Sequence, residues 1–158
     1  MATLKVEAPA GSQNILGTAV IKAPLAKVFK AYTDPELFKK WWGRGHEVKV
    51  YEFNAVTGGT WHIAEVAEDG NEYAFRGTIH EVAENERIIQ TNEFLGLPER
   101  GVVSLEKAEF VALDDNTTEV RTTVTVQSVE GRDAYVASGM EGGWRQSVEV
   151  LGTLVEEV

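Results

Sequence analysis

The apolar positions of this chain follow two periods, and the change between them falls at His46. The clearest helical run comes last. From Asp133 to Val158, the residues Val136, Met140, Trp144, Val148, Leu151, Val155 and Val158 recur every three or four positions, the spacing of one helix face. The stripe predicts a single amphipathic helix over residues 134–157. Asp133 is placed to cap its start, and Glu141 stands four residues before Arg145, the favourable order for an exposed pair. Such a helix spans roughly 35 Å and needs a broad apolar surface to lie on.

The upstream chain supplies that surface. Residues 1–14 contain Ala, Gly and Pro without periodicity and are expected to be loosely ordered. Ile15 to Ala23 reads as a strand. Pro24 suits the first turn of a helix carrying Val28, Phe29 and Tyr32. Asp34-Pro35 restarts the helix as N-cap and first residue, followed by Leu37, Phe38, Trp41 and Trp42, and Gly43-Arg44-Gly45 ends it. Beyond His46 the period becomes twofold, with strands expected over 46–53, 60–67, 72–83, 87–95, 102–113 and 118–129. Turn residues separate several of them, and short connections make these strands a consecutive antiparallel meander. Tyr73, Phe75 and Ile79 share the inner parity with Gly77, a glycine that suggests a bulge or bend. The expected fold is α+β: a curved seven-stranded antiparallel sheet wrapped round a long C-terminal helix, with two short helices between strands one and two. Residues 15–158 form one domain, and a curved sheet on a straight helix leaves room for a cavity.

Composition narrows the function. A net charge of −10 without clustered Lys or Arg disfavours nucleic acid and anionic lipid as partners. The absence of cysteine excludes disulfides, thiolate metal sites and a cysteine nucleophile. No run approaches the ~20 apolar residues of a membrane span, and the start does not resemble a signal peptide, so a cytoplasmic protein is expected.

Short motifs carry a likeness to a known family. Ile21-Lys22-Ala23-Pro24, Val28-Phe29, Thr33-Asp34-Pro35-Glu36 and Trp41-Trp42-Gly43 resemble the opening of the START-like, or SRPBCC, superfamily. Gly58-Gly59-Thr60-Trp61, Asp69-Gly70, Gly77 to Val82, Glu86-Arg87 and Gly143-Trp144 continue it, nearest to the activator of Hsp90 ATPase homologue 1-like family. The resemblance implies the helix-grip fold of Bet v 1 and the lipid-transfer START domains, whose members bind apolar or aromatic molecules in a cavity. It supports fold far more than function. The family's name suggests a chaperone partner, although the N-terminal domain of the eukaryotic Hsp90 activator has no counterpart here.

The candidate ligand-binding residues are Trp41, Trp42, Trp61, His62, Tyr73, Phe75, Met140 and Trp144. The four tryptophans match aromatic positions of the family pattern, and core packing competes with ligand contact at each. The adjacent Trp41 and Trp42 point about 100° apart on a helix. Gly139, Gly142 and Gly143 either permit close packing or leave volume beside Met140 and Trp144. His46, His62 and His80 lack metal-ligand spacing, no Ser/His/Asp arrangement is legible, and no cofactor motif is present, so no catalytic residue, metal or cofactor is assigned. Glu65, Glu81, Arg76 and Arg87 could each place a charge in the cavity. The first reading is a protein that binds a small apolar or aromatic ligand. The alternatives are a cyclase- or hydrolase-like enzyme using cavity polar groups, and a chaperone-associated interaction domain.

Overall fold

Strand alternation is plainest in β2 (Asn14–Ile21), where Ile15, Gly17, Ala19 and Ile21 are buried and the residues between them are half-buried. The same alternation organises a computed structural model that describes residues 2–156. In chain order the elements are β1 (Thr3–Glu7), β2, α1 (Leu25–Thr33), α2 (Pro35–Trp41), β3 (Glu47–Phe53), β4 (Thr60–Val66), β5 (Glu72–Ala83), β6 (Arg87–Phe94), β7 (Val103–Asp114), β8 (Thr117–Thr125), α3 (Val129–Ala137) and α4 (Met140–Glu156). All strands join one antiparallel sheet in the order β1-β2-β8-β7-β6-β5-β4-β3. The expected meander is β3 to β8. The two short helices carry the chain across the sheet, from β2 near one edge to β3 at the other. At the junction of those helices Asp34 accepts the Glu36 N–H at 2.9 Å, with Pro35 at the first helical position. α2 touches β3 at one edge and also touches α4, which touches β1 at the other. A sheet whose two edges meet one helical layer must wrap around it.

The sheet has eight strands rather than seven. The additional one, β1, lies in the segment expected to be loosely ordered, and it pairs with β2 from Thr3↔Val20 to Glu7↔Leu16. Besides that ladder and the buried Leu4, two arginines from the far end of the chain tie the segment down. Arg132 on α3 is buried and donates to the carbonyls of Pro9 (2.8 Å) and Asn14 (3.2 Å). Arg145 on α4 donates to the Leu4 carbonyl at 2.6 Å. Arg132→Ala should therefore cost about 1–3 kcal/mol, since two carbonyls lose a charged donor. Amide exchange should rise at Leu4 and Val6 before it rises in β8. Unchanged exchange in β1 would show that pairing with β2 suffices.

The C-terminal helix is two helices rather than one. The break falls at Gly139, which has φ +87° just beyond the Ser138 cap of α3. A left-handed residue after a helix end is a common stop, and glycine adopts it without steric cost. Ser128, not Asp133, caps α3, accepting the Gly131 N–H at 3.0 Å. Asp133 instead sits inside α3 and pairs with Arg132 at 2.8 Å. The stripe is real from α4 onward: Val148, Leu151 and Val155 are buried, whereas Val136 on α3 is exposed. The expected exposed pair forms, with Arg145 donating to Glu141 at 2.8 Å. Val158, the last residue of the predicted stripe, lies outside the described residues.

Candidate functional site

Cross-strand register fixes which side chains face the helices. Trp61, Ile63 and Glu65 on β4 stand opposite Gly77, Phe75 and Tyr73 on β5, and Phe75 stands opposite Phe94 on β6. Paired residues share a face, so all of these point inward. At one end of the face the inward residues Ile63, Ile79, Ile88, Phe110 and Val120 are buried under α1, α2 and α4. At the other end Phe75, Phe94, Gln90, Asn92, Ser104 and Glu106 keep part of their surface open. The concave face is thus closed at one end and open at the other. Two depressions, of about 330 and 430 Å³, lie away from this face: beside Ala8, Gly11 and Arg132, and between α1 and the β5–β6 turn.

A row of rings crosses the open end. Phe38 and Trp42 stack with centroids 6.1 Å apart. Trp42 meets Phe75 edge-on at 5.0 Å, Phe75 tilts against Phe94 at 4.9 Å, and Phe94 reaches Tyr73 at 6.4 Å. These separations suit favourable ring pairs. The row runs from the buried Phe38 to the exposed Tyr73. Ser147 on α4 steadies its inner part by donating to the Trp42 carbonyl at 2.8 Å.

Two polar clusters flank the row. The first is built on Glu65, which is only 6% exposed. Both Arg44 nitrogens Nε and Nη2 donate to its carboxylate, and His46 Nδ1 lies 2.9 Å from Oε2. Burial alone would push the Glu65 carboxyl up, but the hydrogen bonds from Arg44 and His46 outweigh it and hold the group below its ordinary value. Arg44 reaches this position with a left-handed backbone, φ +58°. Its side chain also lies on Gly143, whose missing Cβ would sit 3.2 Å from Arg44 Cδ. The space beside Gly143 is therefore occupied by an arginine.

The second cluster was not anticipated. Gln90 and Asn92 on β6 face inward between Ile88 and Phe94, and Gln90 is paired with Glu106 on β7. Gln90 Nε2 donates to Glu106 Oε1 at 3.4 Å, and Asn92 Nδ2 donates to Oε2 at 3.3 Å. Burial raises the Glu106 carboxyl above its ordinary value, and the two amide bonds only partly oppose this. The residue is half-buried and keeps part of its surface open. Tyr135 on α3 is 38% exposed as a whole, while burial around its phenol, helped by the charge of Glu106, pushes that group up to about 12. Parity could have revealed this cluster, since Gln90, Asn92 and Glu106 all occupy inward positions in strands with apolar inward neighbours.

The predicted site residues divide between the open face and the core. Trp42, Phe75 and Tyr73 belong to the ring row. Trp41 is buried and donates its indole N–H to the Ala31 carbonyl at 2.9 Å. Trp61 is also buried, and its indole N–H donates to the Thr91 carbonyl at 3.1 Å. Gly77 and Thr78 drop out of the β5–β6 ladder there, and Trp61 fills the gap. A Cβ on Gly77 would come within 1.8 Å of the Thr91 oxygen, so this close approach requires glycine. His62 points to the opposite face of the sheet and stacks on Tyr51 at 4.9 Å, outside the concave face. Met140 begins α4 and is half-buried. Trp144 lies flat against Gly17, where an added Cβ would stand 2.1 Å from the ring. Of the four charged candidates, Glu65 alone faces inward and is buried. Glu81 and Arg87 pair with each other across β5 and β6 at 2.6 Å. Arg76 lies opposite His62 on the outer face, 3.7 Å from Glu93. Among the described residues no group of His, Cys, Asp and Glu is placed to hold a metal ion, and no helix is long and apolar enough to cross a membrane.

A concave antiparallel sheet gripping a C-terminal helix is the architecture of the START-like proteins. Within that class the chain belongs to the family described as activator of Hsp90 ATPase homolog 1-like protein, which it matches over residues 22–156. Its fold is shared with protein Ms6760 from Mycobacterium smegmatis, at 21% identity over 100% of this chain and 99% of that one, with a TM-score of 0.87. CV1439 from Chromobacterium violaceum is 27% identical over 92% of this chain and 99% of its own, with a TM-score of 0.77. DynU16, a protein of the dynemicin biosynthetic locus, is 19% identical over 92% of this chain but 48% of its own, with a TM-score of 0.70. No curated protein matches the chain in sequence.

Proposed function

We propose that this chain binds a small apolar or aromatic molecule against the ring row of Trp42, Phe75, Phe94 and Tyr73. The observation that carries the reading is the uneven cover of one face. Inward aromatic rings that a helix would normally bury are left partly open, next to polar groups that can orient a guest. The family's superfamily commonly holds hydrophobic ligands, which supports the same reading. Flat rings would gain both area burial and edge or stacked contacts there. A cytoplasmic setting agrees with a chain lacking cysteine.

Titration with 2-methoxynaphthalene, followed by tryptophan fluorescence and by ligand-detected NMR, tests this. A saturable change centred on Trp42 is expected. Phe75→Ala should weaken binding about tenfold, because it removes the ring between Trp42 and Phe94. Absence of saturable binding in both measurements would reject the ligand reading and leave the interaction-domain alternative in its place.

A further inference from the structure

We infer that Gln90, Asn92 and Glu106 form the polar end of this ligand site and select aromatic molecules that carry a hydrogen-bond donor, an O–H or N–H group. The inference rests on the ligand-binding reading above and specifies what kind of ligand the open face prefers.

The argument is one of unspent acceptors. A carboxylate offers about four acceptor sites, and Glu106 receives two amide N–H bonds, both long at 3.4 and 3.3 Å. Among the described residues no Lys or Arg lies within ion-pair distance of it. The amide of Asn92 turns its nitrogen to the carboxylate, because the carboxylate can only accept. That leaves Asn92 Oδ1 buried with no hydrogen-bond partner, the one such side-chain atom among the described residues. Two amides thus each spend an N–H on one carboxylate, and the one buried side-chain atom left without a partner among the described residues is an acceptor. Buried acceptors without partners are rare in folded proteins and costly to keep. A donor arriving on a ligand would meet that need.

Position makes the cluster useful to the ring row. Asn92 lies two residues before Phe94 on the same strand and face, so a ring held against Phe94 and Phe75 has its edge towards Asn92 and Glu106. A cluster kept only for packing would do better as apolar residues, since the elevated Glu106 carboxyl marks an unfavourable site for charge. Residues that weaken the fold in this way are the kind that functional sites retain.

Calorimetric titration of the full chain with 2-naphthol, 2-methoxynaphthalene and 2-naphthoate separates the possibilities. These probes share a ring system and differ in offering a donor, no donor, or a negative charge. Wild type should bind 2-naphthol about tenfold more tightly than 2-methoxynaphthalene, because only the naphthol satisfies the spare acceptors. 2-Naphthoate should bind weakest. In Asn92→Leu and Glu106→Gln the naphthol preference should fall towards unity. Glu106→Gln should also regain affinity for 2-naphthoate. Equal binding of naphthol and its methyl ether by wild type would overturn the inference and leave the ring-row site intact. Retention of the preference in both variants would do the same. If none of the probes binds, the ligand reading fails and this inference fails with it. Should a variant not fold, the wild-type comparison of 2-naphthol with its methyl ether still decides.

Discussion

Leu151→Ala is expected to lower the unfolding free energy by about 2–5 kcal/mol in a urea melt, against less than about 0.5 kcal/mol for Glu149→Ala. Leu151 has no exposed surface and lies midway along α4, between the buried Val148 and Val155. Its side chain enters the core formed by the concave face and the two short helices. Truncation removes the transfer free energy of three carbons and leaves a hole that a sheet in fixed register cannot close. Glu149, two residues away, is exposed. Its carbonyl accepts from Thr153 Oγ1 at 3.2 Å, a bond that side-chain truncation leaves in place. Similar losses for the two variants would mean that α4 presents a different face to the sheet.

The contrast between these two neighbours was legible in the sequence, because helical periodicity reports faces directly. Strand parity was equally informative: Val120 and Val124 point inward on β8, and Phe75, Gly77 and Ile79 share one face of β5 as expected. Periodicity fails where an element is short, or where its support comes from far along the chain. β1 has five residues at a sheet edge and is tied down in part by arginines that follow it by more than a hundred positions. The helix stripe likewise ran through Gly139, because Val136 keeps the spacing although the backbone turns left-handed between it and α4. Spacing cannot register one residue's change of φ.

Site residues were legible by type and not by environment. Aromatic residues drew notice as aromatics, and half of the tryptophans proved to hold the frame, with Trp41 and Trp61 each committing an indole N–H to a backbone carbonyl. His62 was a candidate by residue type, and the structure puts it on the outer face: β4 carries apolar residues on both sides, Ala64 on the outer and Trp61 and Ile63 on the inner. Gln90, Asn92 and Glu106 carry no motif. Their meaning appears only when β6 and β7 are set side by side and three polar residues fall where apolar ones would serve. The sheet register brings together residues whose separate neighbourhoods in sequence look ordinary.

The Arg44–His46–Glu65 corner yields the second large effect, and it has a signature in pH. Glu65→Ala should cost about 2–3 kcal/mol at neutral pH, below the range for breaking a fully buried pair. The discount follows from Arg44, whose side chain is 40% exposed and can turn to water once its partner is gone. Because Glu65 is held below its ordinary value of 4.5 in the folded protein, the folded state binds its proton less readily than the unfolded chain does. Its contribution is therefore complete above that ordinary value and is lost as the pH falls through the lower folded one. Urea melts of wild type and Glu65→Gln should differ at pH 7 and converge in acid. Arg44→Gly should cost at least as much as Glu65→Ala, since it relieves a left-handed backbone, φ +58°, but leaves the buried Glu65 carboxylate without its guanidinium. A gap between wild type and Glu65→Gln that stays constant from neutral pH into acid would show that neutral packing, and not the carboxylate, fixes this corner. The corner sits where α2 ends, and Trp42 follows directly on that helix. Loosening it should therefore also broaden the Trp42 emission, joining the electrostatics of Glu65 to the position of the first open ring in the row.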